Sequence, residues 1–313
     1  MRPKDRTVIA DIDAHLGSYA REVRPLPGIQ AEDARLAFLE QVAESLHRVA
    51  YARTVARRPV HASRIDPSSS MFDPVRGAIF RMRQNEIDEA FWLVFIFVHF
   101  GKHRRDGYQL ARDIYGRLGE QPPWTWQEVS RDPQAFRAWL HSQQATLKHD
   151  GVRRRFGNHR KYESLDAWST SGTGEAVETY VTWVRPFGTH ARLVADVQAR
   201  VGADPKLLFH GLYESMGAVA RFGRTARFDY LAMVGKLGLA TIEPDSTYMT
   251  GSSGPVSGAR LLFAGNAKAQ LPAGDLDRWL VDLDGRVGVG MQVLEDALCN
   301  WQKSPNEFKA FRG

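Results

Sequence analysis

The chain has 313 residues, 43% of them hydrophobic and 25% charged, with a formal net charge of +6. These proportions are ordinary globular values that predict a packed core rather than a disordered chain, and the length suffices for one large domain or two lobes. The single cysteine, Cys299, excludes an intramolecular disulfide and any Cys-rich zinc or iron–sulfur centre.

In chain order, residues 1–30 read as a loop or loosely docked arm ending at Pro25-Leu-Pro-Gly28. No apolar segment follows Met1-Arg-Pro-Lys-Asp-Arg6, so no secretory leader is expected. Leu36, Leu39, Val42, Leu46 and Val49 recur on one stripe and predict an amphipathic helix from Ala31 to about Arg57. A Pro/Ser-rich connection follows around Pro67 to Met71. The apolar run Ala90 to Phe100, interrupted by His99, is too short for a bilayer, which needs about 20 residues. It predicts a buried helix near 86–102, and a cytoplasmic protein without a membrane span. A helix near 106–118 and a turn at Pro122 to Trp126 come next. Asp132-Pro133 and Asp204-Pro205 each pair a capping carboxylate with a first-turn proline, predicting helix starts. Further helices are expected at 175–184, 190–201, 204–221, 225–238, 256–266, 275–283 and 287–302, with no βαβ unit. The fold class is therefore all-α, divided as an N-terminal helical extension over 1–85 and a main helical domain over 86–313.

Three stretches carry possible chemistry. Lys148 to Lys161 sets six Lys/Arg against one Asp, with Phe156 and two histidines interleaved. Such side chains contact phosphates and release counterions, which makes Arg154, Arg155, Asn158, His159 and Arg160 candidate DNA contacts. A solvated basic loop is the plainer reading. Lys161 and Glu163 follow as a possible catalytic pair, or as a surface ion pair of little energetic weight. Arg224 and Arg227 share a helix face and suit a nucleic-acid groove, or equally an internal network with Asp229.

The third stretch, Tyr248 to Arg260, contains the small-residue turn Gly251-Ser252-Ser253-Gly254. Backbone amides there, before a helix, suit an anion. The pattern resembles the helix-hairpin-helix element of DNA glycosylases. In that superfamily a catalytic Asp follows the second helix after a short fixed stretch. Sixteen residues beyond Ala259 stands Asp275, whose alternative role is a helix N-cap. The resemblance departs from the usual Gly-Val-Gly turn and lacks a Schiff-base lysine, implying monofunctional cleavage. Tyr248 and Trp168 are candidates for stacking on a base. His99 and His103 are not followed by a metal-protease Glu, and no metal or cofactor is expected.

Five segments from about residue 90 to the end resemble the alpha-glutamyl/putrescinyl thymine pyrophosphorylase family, clade 3. They are His99-Phe-Gly-Lys-His103, Gly157 to Glu163, Phe222 to Leu231, Tyr248 to Arg260, and Val289 to Lys303. The resemblance implies a DNA-glycosylase-like fold and action on modified DNA bases. The family name implies that an amine displaces pyrophosphate from an activated hydroxymethyl pyrimidine. A similarity to phage-defence glycosylases that remove glucosylated hydroxymethylcytosine implies excision instead. The expected function is monofunctional excision of a hypermodified pyrimidine from double-stranded phage DNA, without an obligate protein partner. A transferase and a non-catalytic reader are the alternatives.

Overall fold

A computed structural model describes residues 5–310, except for the side chain of Asn158. Helix makes up 66% of it, with no strand or sheet among the described residues, so the fold is all-α. The chain divides into two compact units. One combines the residues up to Arg53 with those from Pro244 onward; the other is Thr54–Glu243.

The first unit opens with α1 (Arg6–Glu22) and α2 (Glu32–Arg57), whose residues up to Arg53 belong here. The arm expected at the N-terminus is thus a helix. Ile9, Ile12, Leu16 and Tyr19 recur at helical spacing and are buried. Polar residues between them dilute that stripe in the sequence, and packing supplies the stability that local propensity lacks.

The second unit contains α3 (Pro74–Arg83), α4 (Ile87–Phe100), α5 (Gln109–Tyr115), α6 (Trp126–Arg131), α7 (Pro133–Ser142) and α8 (Gln144–His149). It continues with α9 (Thr173–Val184), α10 (His190–Val201), α11 (Pro205–Ser215) and α12 (Arg224–Leu237). Asp132 and Asp204 cap α7 and α11 through their carboxylates, as their sequence positions predict. The apolar run from residue 90 forms α4, the central rod, against which α3, α5, α6, α10 and α12 pack. Trp92 on α4 stacks on Phe95 at 5.0 Å and meets Trp126 and Tyr180, while its indole N–H donates to the Trp124 carbonyl. Glu89, buried on the same helix, accepts from the Tyr115 hydroxyl and the Trp126 amide, so its burial is compensated.

The chain then returns to the first unit as α13 (Gly254–Ala264), α14 (Ala273–Val287) and α15 (Met291–Trp301). Here α1 packs on α14, and α13 packs on α15. Phe38, Val42, Leu262, Leu280, Leu283 and Trp301 form the centre of this core. The α13–α15 contact is close because Gly258 lacks a side chain: a Cβ there would lie 2.3 Å from the Leu298 carbonyl oxygen. Gly258→Ala is expected to destabilise the protein by roughly 1–3 kcal/mol through overpacking, read as a lower urea midpoint.

Candidate active site

Three of the family-bearing segments meet in the second unit. The chain at Gly157 crosses the end of α4 so closely that a Cβ at Gly157 would lie 2.9 Å from the Gly101 Cα. The Gly157 amide donates to the Phe100 carbonyl. Arg160, buried, donates from Nε to the Val98 carbonyl at 2.7 Å and from a terminal nitrogen to Asp229 at 3.3 Å. Arg221 holds Glu163 through two hydrogen bonds of 2.7 and 3.2 Å. Phe222 stacks on Phe95 and His99.

The expected partner of Glu163 was Lys161; its partner is Arg221. Lys161 is exposed, with its ammonium 4.9 Å from the ring centre of Tyr162, which is 81% exposed. The basic loop is less free than its composition suggests. Arg154 binds Asp113 and Asp150, and Arg155 binds Asp106. His159 and Arg153 are exposed, and the Asn158 side chain lies outside the described residues. Trp168 is half exposed, with the Arg137 guanidinium 4.9 Å from its ring centre.

Below this cluster two histidines are buried. His190 lies in a chain of hydrogen bonds: Nδ1 and the backbone N–H bond Asp88, both at 2.7 Å, and Nε2 bonds the Tyr180 hydroxyl, which bonds Tyr230 at 2.8 Å. Burial pushes the His190 imidazole below its ordinary range against the opposing pull of Asp88. His99 bonds Thr173 at 3.0 Å. Burial first, and then the nearby Arg160 and Arg221 charges, push it down to about 3.

An unfolded histidine takes up its proton near pH 6.5, whereas folded His99 does not until about pH 3. Its contribution is therefore fully present above about pH 6.5 and lost as pH falls towards 3, by about 1.4 kcal/mol per pH unit. Urea titrations at about pH 7 and pH 5 are expected to show a loss of about 2 kcal/mol from this residue, and His99→Gln to remove that share.

In the same unit, α11 and α12 pack together and are joined by a short turn over residues 216–223. The Val219 amide bonds the Met216 carbonyl, and the Phe222 amide bonds the Val219 carbonyl. Arg221 takes φ +65°, a left-handed conformation unusual for a non-glycine residue. Gly223 precedes α12 and leaves its N-terminus without a side-chain cap. Two packed helices are thus joined by a short turn within one unit. The sequence suggested 204–221 as one helix, because Leu212, Met216 and Val219 continue the apolar pattern; the helix in fact ends at Ser215. Arg227 packs over the Tyr213 ring at 4.2 Å and donates to the Tyr213 carbonyl, and Arg224 is buried with its guanidinium 5.0 Å from the Phe228 ring centre.

The other two family-bearing segments meet in the first unit, through α13 and α15. The turn Gly251 to Gly254 precedes α13, but the helix before it, α12, belongs to the other unit. Gly251 has φ +79°, and Ser252 donates to the Met249 carbonyl. Asp275 sits in the first turn of α14 and pairs with Arg278. The N-cap is Pro272, so the capping role considered for Asp275 does not hold.

Two neighbouring carboxylates were missed. Asp277 accepts from the Ser246 and Thr247 hydroxyls at 2.9 and 2.7 Å and from the Met249 amide, fixing residues 246–249 to α14. Asp245 accepts from the Tyr248 hydroxyl at 2.6 Å, and Tyr248 itself takes φ +50°. The signal for Asp245 was present in the sequence: it stands sixteen residues beyond Asp229, the sixth residue of α12, just as Asp275 stands sixteen beyond Ala259.

Among the described residues, no group of three or more His, Cys, Asp or Glu side chains is arranged to hold a metal ion. No described helix is long and apolar enough to cross a membrane. No curated protein and no solved structure was found to match the chain. A family model does match over residues 33–313, and the chain belongs to that family, alpha-glutamyl/putrescinyl thymine pyrophosphorylase clade 3, which is tied to DNA modification.

Proposed function

We propose that the protein is a monofunctional DNA N-glycosylase that excises a hypermodified pyrimidine from phage DNA, with Asp245 as its catalytic carboxylate. One observation carries the reading. A short turn joins two packed helices, and the spacing beyond the second leads to a carboxylate held by the phenol of Tyr248 at 2.6 Å. The backbone strain at Tyr248 fits a functional position.

In this reading the 216–223 turn and the start of α12 grip the phosphate backbone through main-chain amides. Lys161, Arg153 and Tyr162 offer exposed cationic and aromatic surface to the DNA. The turn at Gly251, Ser252, Ser253 and Gly254 is a second candidate backbone contact. Cleavage breaks the bond between sugar C1′ and the base; the bonding pair leaves with the base, which takes up a proton from solvent, and the oxygen of a water bonds to C1′. Positive charge grows on the sugar, where an ionised carboxylate stabilises it and accepts a proton from the attacking water. The products are a free base and an abasic site. Asp275 is the competing carboxylate, and Glu163 fixes Arg221.

The family description favours a second reading, in which a pyrimidine substituent is exchanged and the base stays in the DNA. Mass spectrometry of free bases, and of nucleosides from digested DNA, separates the two. The substrate is T-even-type phage DNA, with unmodified DNA alongside. Release of a modified base by wild type supports excision. A new nucleoside mass after incubation with an amine donor and activated DNA supports transfer. Tight binding with neither product supports a reader.

A further inference from the structure

In the second unit a cleft of about 230 Å³ opens between the 64–73 segment and the start of α5. Its walls include Arg64, Lys102, Arg112, Tyr108, Asp73 and Asp106. The two carboxylates are already engaged. Asp73 caps α3 by accepting from the Val75 and Arg76 amides. Asp106 is held by two nitrogens of the Arg155 guanidinium, at 2.6 and 3.0 Å.

The cations retain donors. Arg112 bonds Asp113 only through Nε, at 3.2 Å, and the other oxygen of Asp113 is taken by Arg154 and Gln109. Arg64 uses one terminal nitrogen on the Met71 carbonyl. Lys102 is exposed, its ammonium 5.4 Å from the Tyr108 ring centre. Burial pushes the Tyr108 phenol up, which keeps it a hydrogen-bond donor.

We propose that this cleft is a phosphate-binding site. Two guanidinium forks and one ammonium around a pocket whose carboxylates are paired with Arg76 and Arg155 match the oxygens of a phosphoryl group, which accept several charge-assisted hydrogen bonds. The site holds whether the base is excised or retained, and so does not rest on the glycosylase reading. The phosphate is either a backbone diester of bound DNA or a free anion.

The test compares wild type, Lys102→Gln and the double variant Lys102→Gln/Arg112→Gln, with circular dichroism as the folding control. Duplex DNA binding is measured by fluorescence anisotropy over a salt series, and inorganic phosphate binding by phosphorus NMR line width. For a backbone diester, the double variant weakens DNA binding about tenfold or more, and the slope of log K against log salt falls by roughly one to two. For a free anion, the phosphate line broadening seen with wild type disappears while DNA binding holds. Should both readouts match wild type in a folded variant, the site is overturned. Lys102→Gln alone decides the matter if loss of the Arg112–Asp113 pair unfolds the double variant.

Discussion

Asp245→Asn is expected to reduce release of the modified base by about 10²–10³-fold or more, equivalent to about 3–4 kcal/mol of transition-state stabilisation. The substitution keeps the shape of the side chain and its ability to accept from the Tyr248 hydroxyl, so folding and DNA binding should stay close to wild type. What it removes is the negative charge, which matters only as the sugar becomes cationic. Single-turnover rates isolate that step from product release. Asp275→Asn breaks a first-turn pair with Arg278, whose side chain is largely exposed, and is expected to leave the rate within about threefold. A reversed pattern, with Asp275→Asn inactive and Asp245→Asn active, would move the catalytic role to α14 and discard the α11–α12 hairpin count. Glu163→Gln separates the second-unit cluster from both: it loosens Arg221 and should weaken DNA binding more than it slows chemistry.

Trp92→Ala is expected to cost about 3–5 kcal/mol, a large part of the roughly 5–15 kcal/mol that holds a typical domain together. Trp92 is fully buried in α4 and lies against Phe95, Trp126 and Tyr180. Truncation leaves a cavity in the rod that five other helices share, and it orphans the Trp124 carbonyl. Urea unfolding should show a midpoint far below wild type. Trp92→Phe keeps most of the ring and loses mainly the indole hydrogen bond, so a cost of about 1–3 kcal/mol is expected for it. Equal costs for the two would mean that the hydrogen bond, not the packing, fixes this position.

How legible this was in the sequence depended on the kind of signal. Helices with strong periodicity or an Asp-Pro start were readable: α2, α4, α10 and α12 lie within a few residues of their expected bounds, and α7 starts where Asp132-Pro133 places it. The predicted helix from Asp132 to Lys148 is interrupted at Gln143, where the chain leaves α7 and restarts as α8. The helices α1, α3 and α6 were missed; each is short or polar and is stabilised by what it packs against. The site was harder to read because its parts are far apart in sequence. Nothing local links Glu163 to Arg221 or Arg160 to Asp229, 58 and 69 residues away. The composition of the 148–161 loop reported its charge correctly but not that Arg154 and Arg155 are committed to carboxylates on other segments. The count of sixteen residues to an Asp has two possible origins in the sequence, at Asp229 and at Ala259. The end of α11 at Ser215, which the apolar pattern does not announce, is what makes residues 216–223 a turn between helices.

The division of the chain bears on how the molecule is made. The second unit is one continuous stretch, Thr54–Glu243, and can condense as it leaves the ribosome. The first unit joins α1 and α2 to helices encoded more than 190 residues later: α1 packs on α14, and Phe38 of α2 packs on Trp301 of α15, so both wait for partners made late. During that interval Ile9, Leu16, Phe38 and Val42 are exposed on the nascent chain, a natural target for chaperones. A nascent chain stalled before α13 would carry a finished second unit and an unfinished first one.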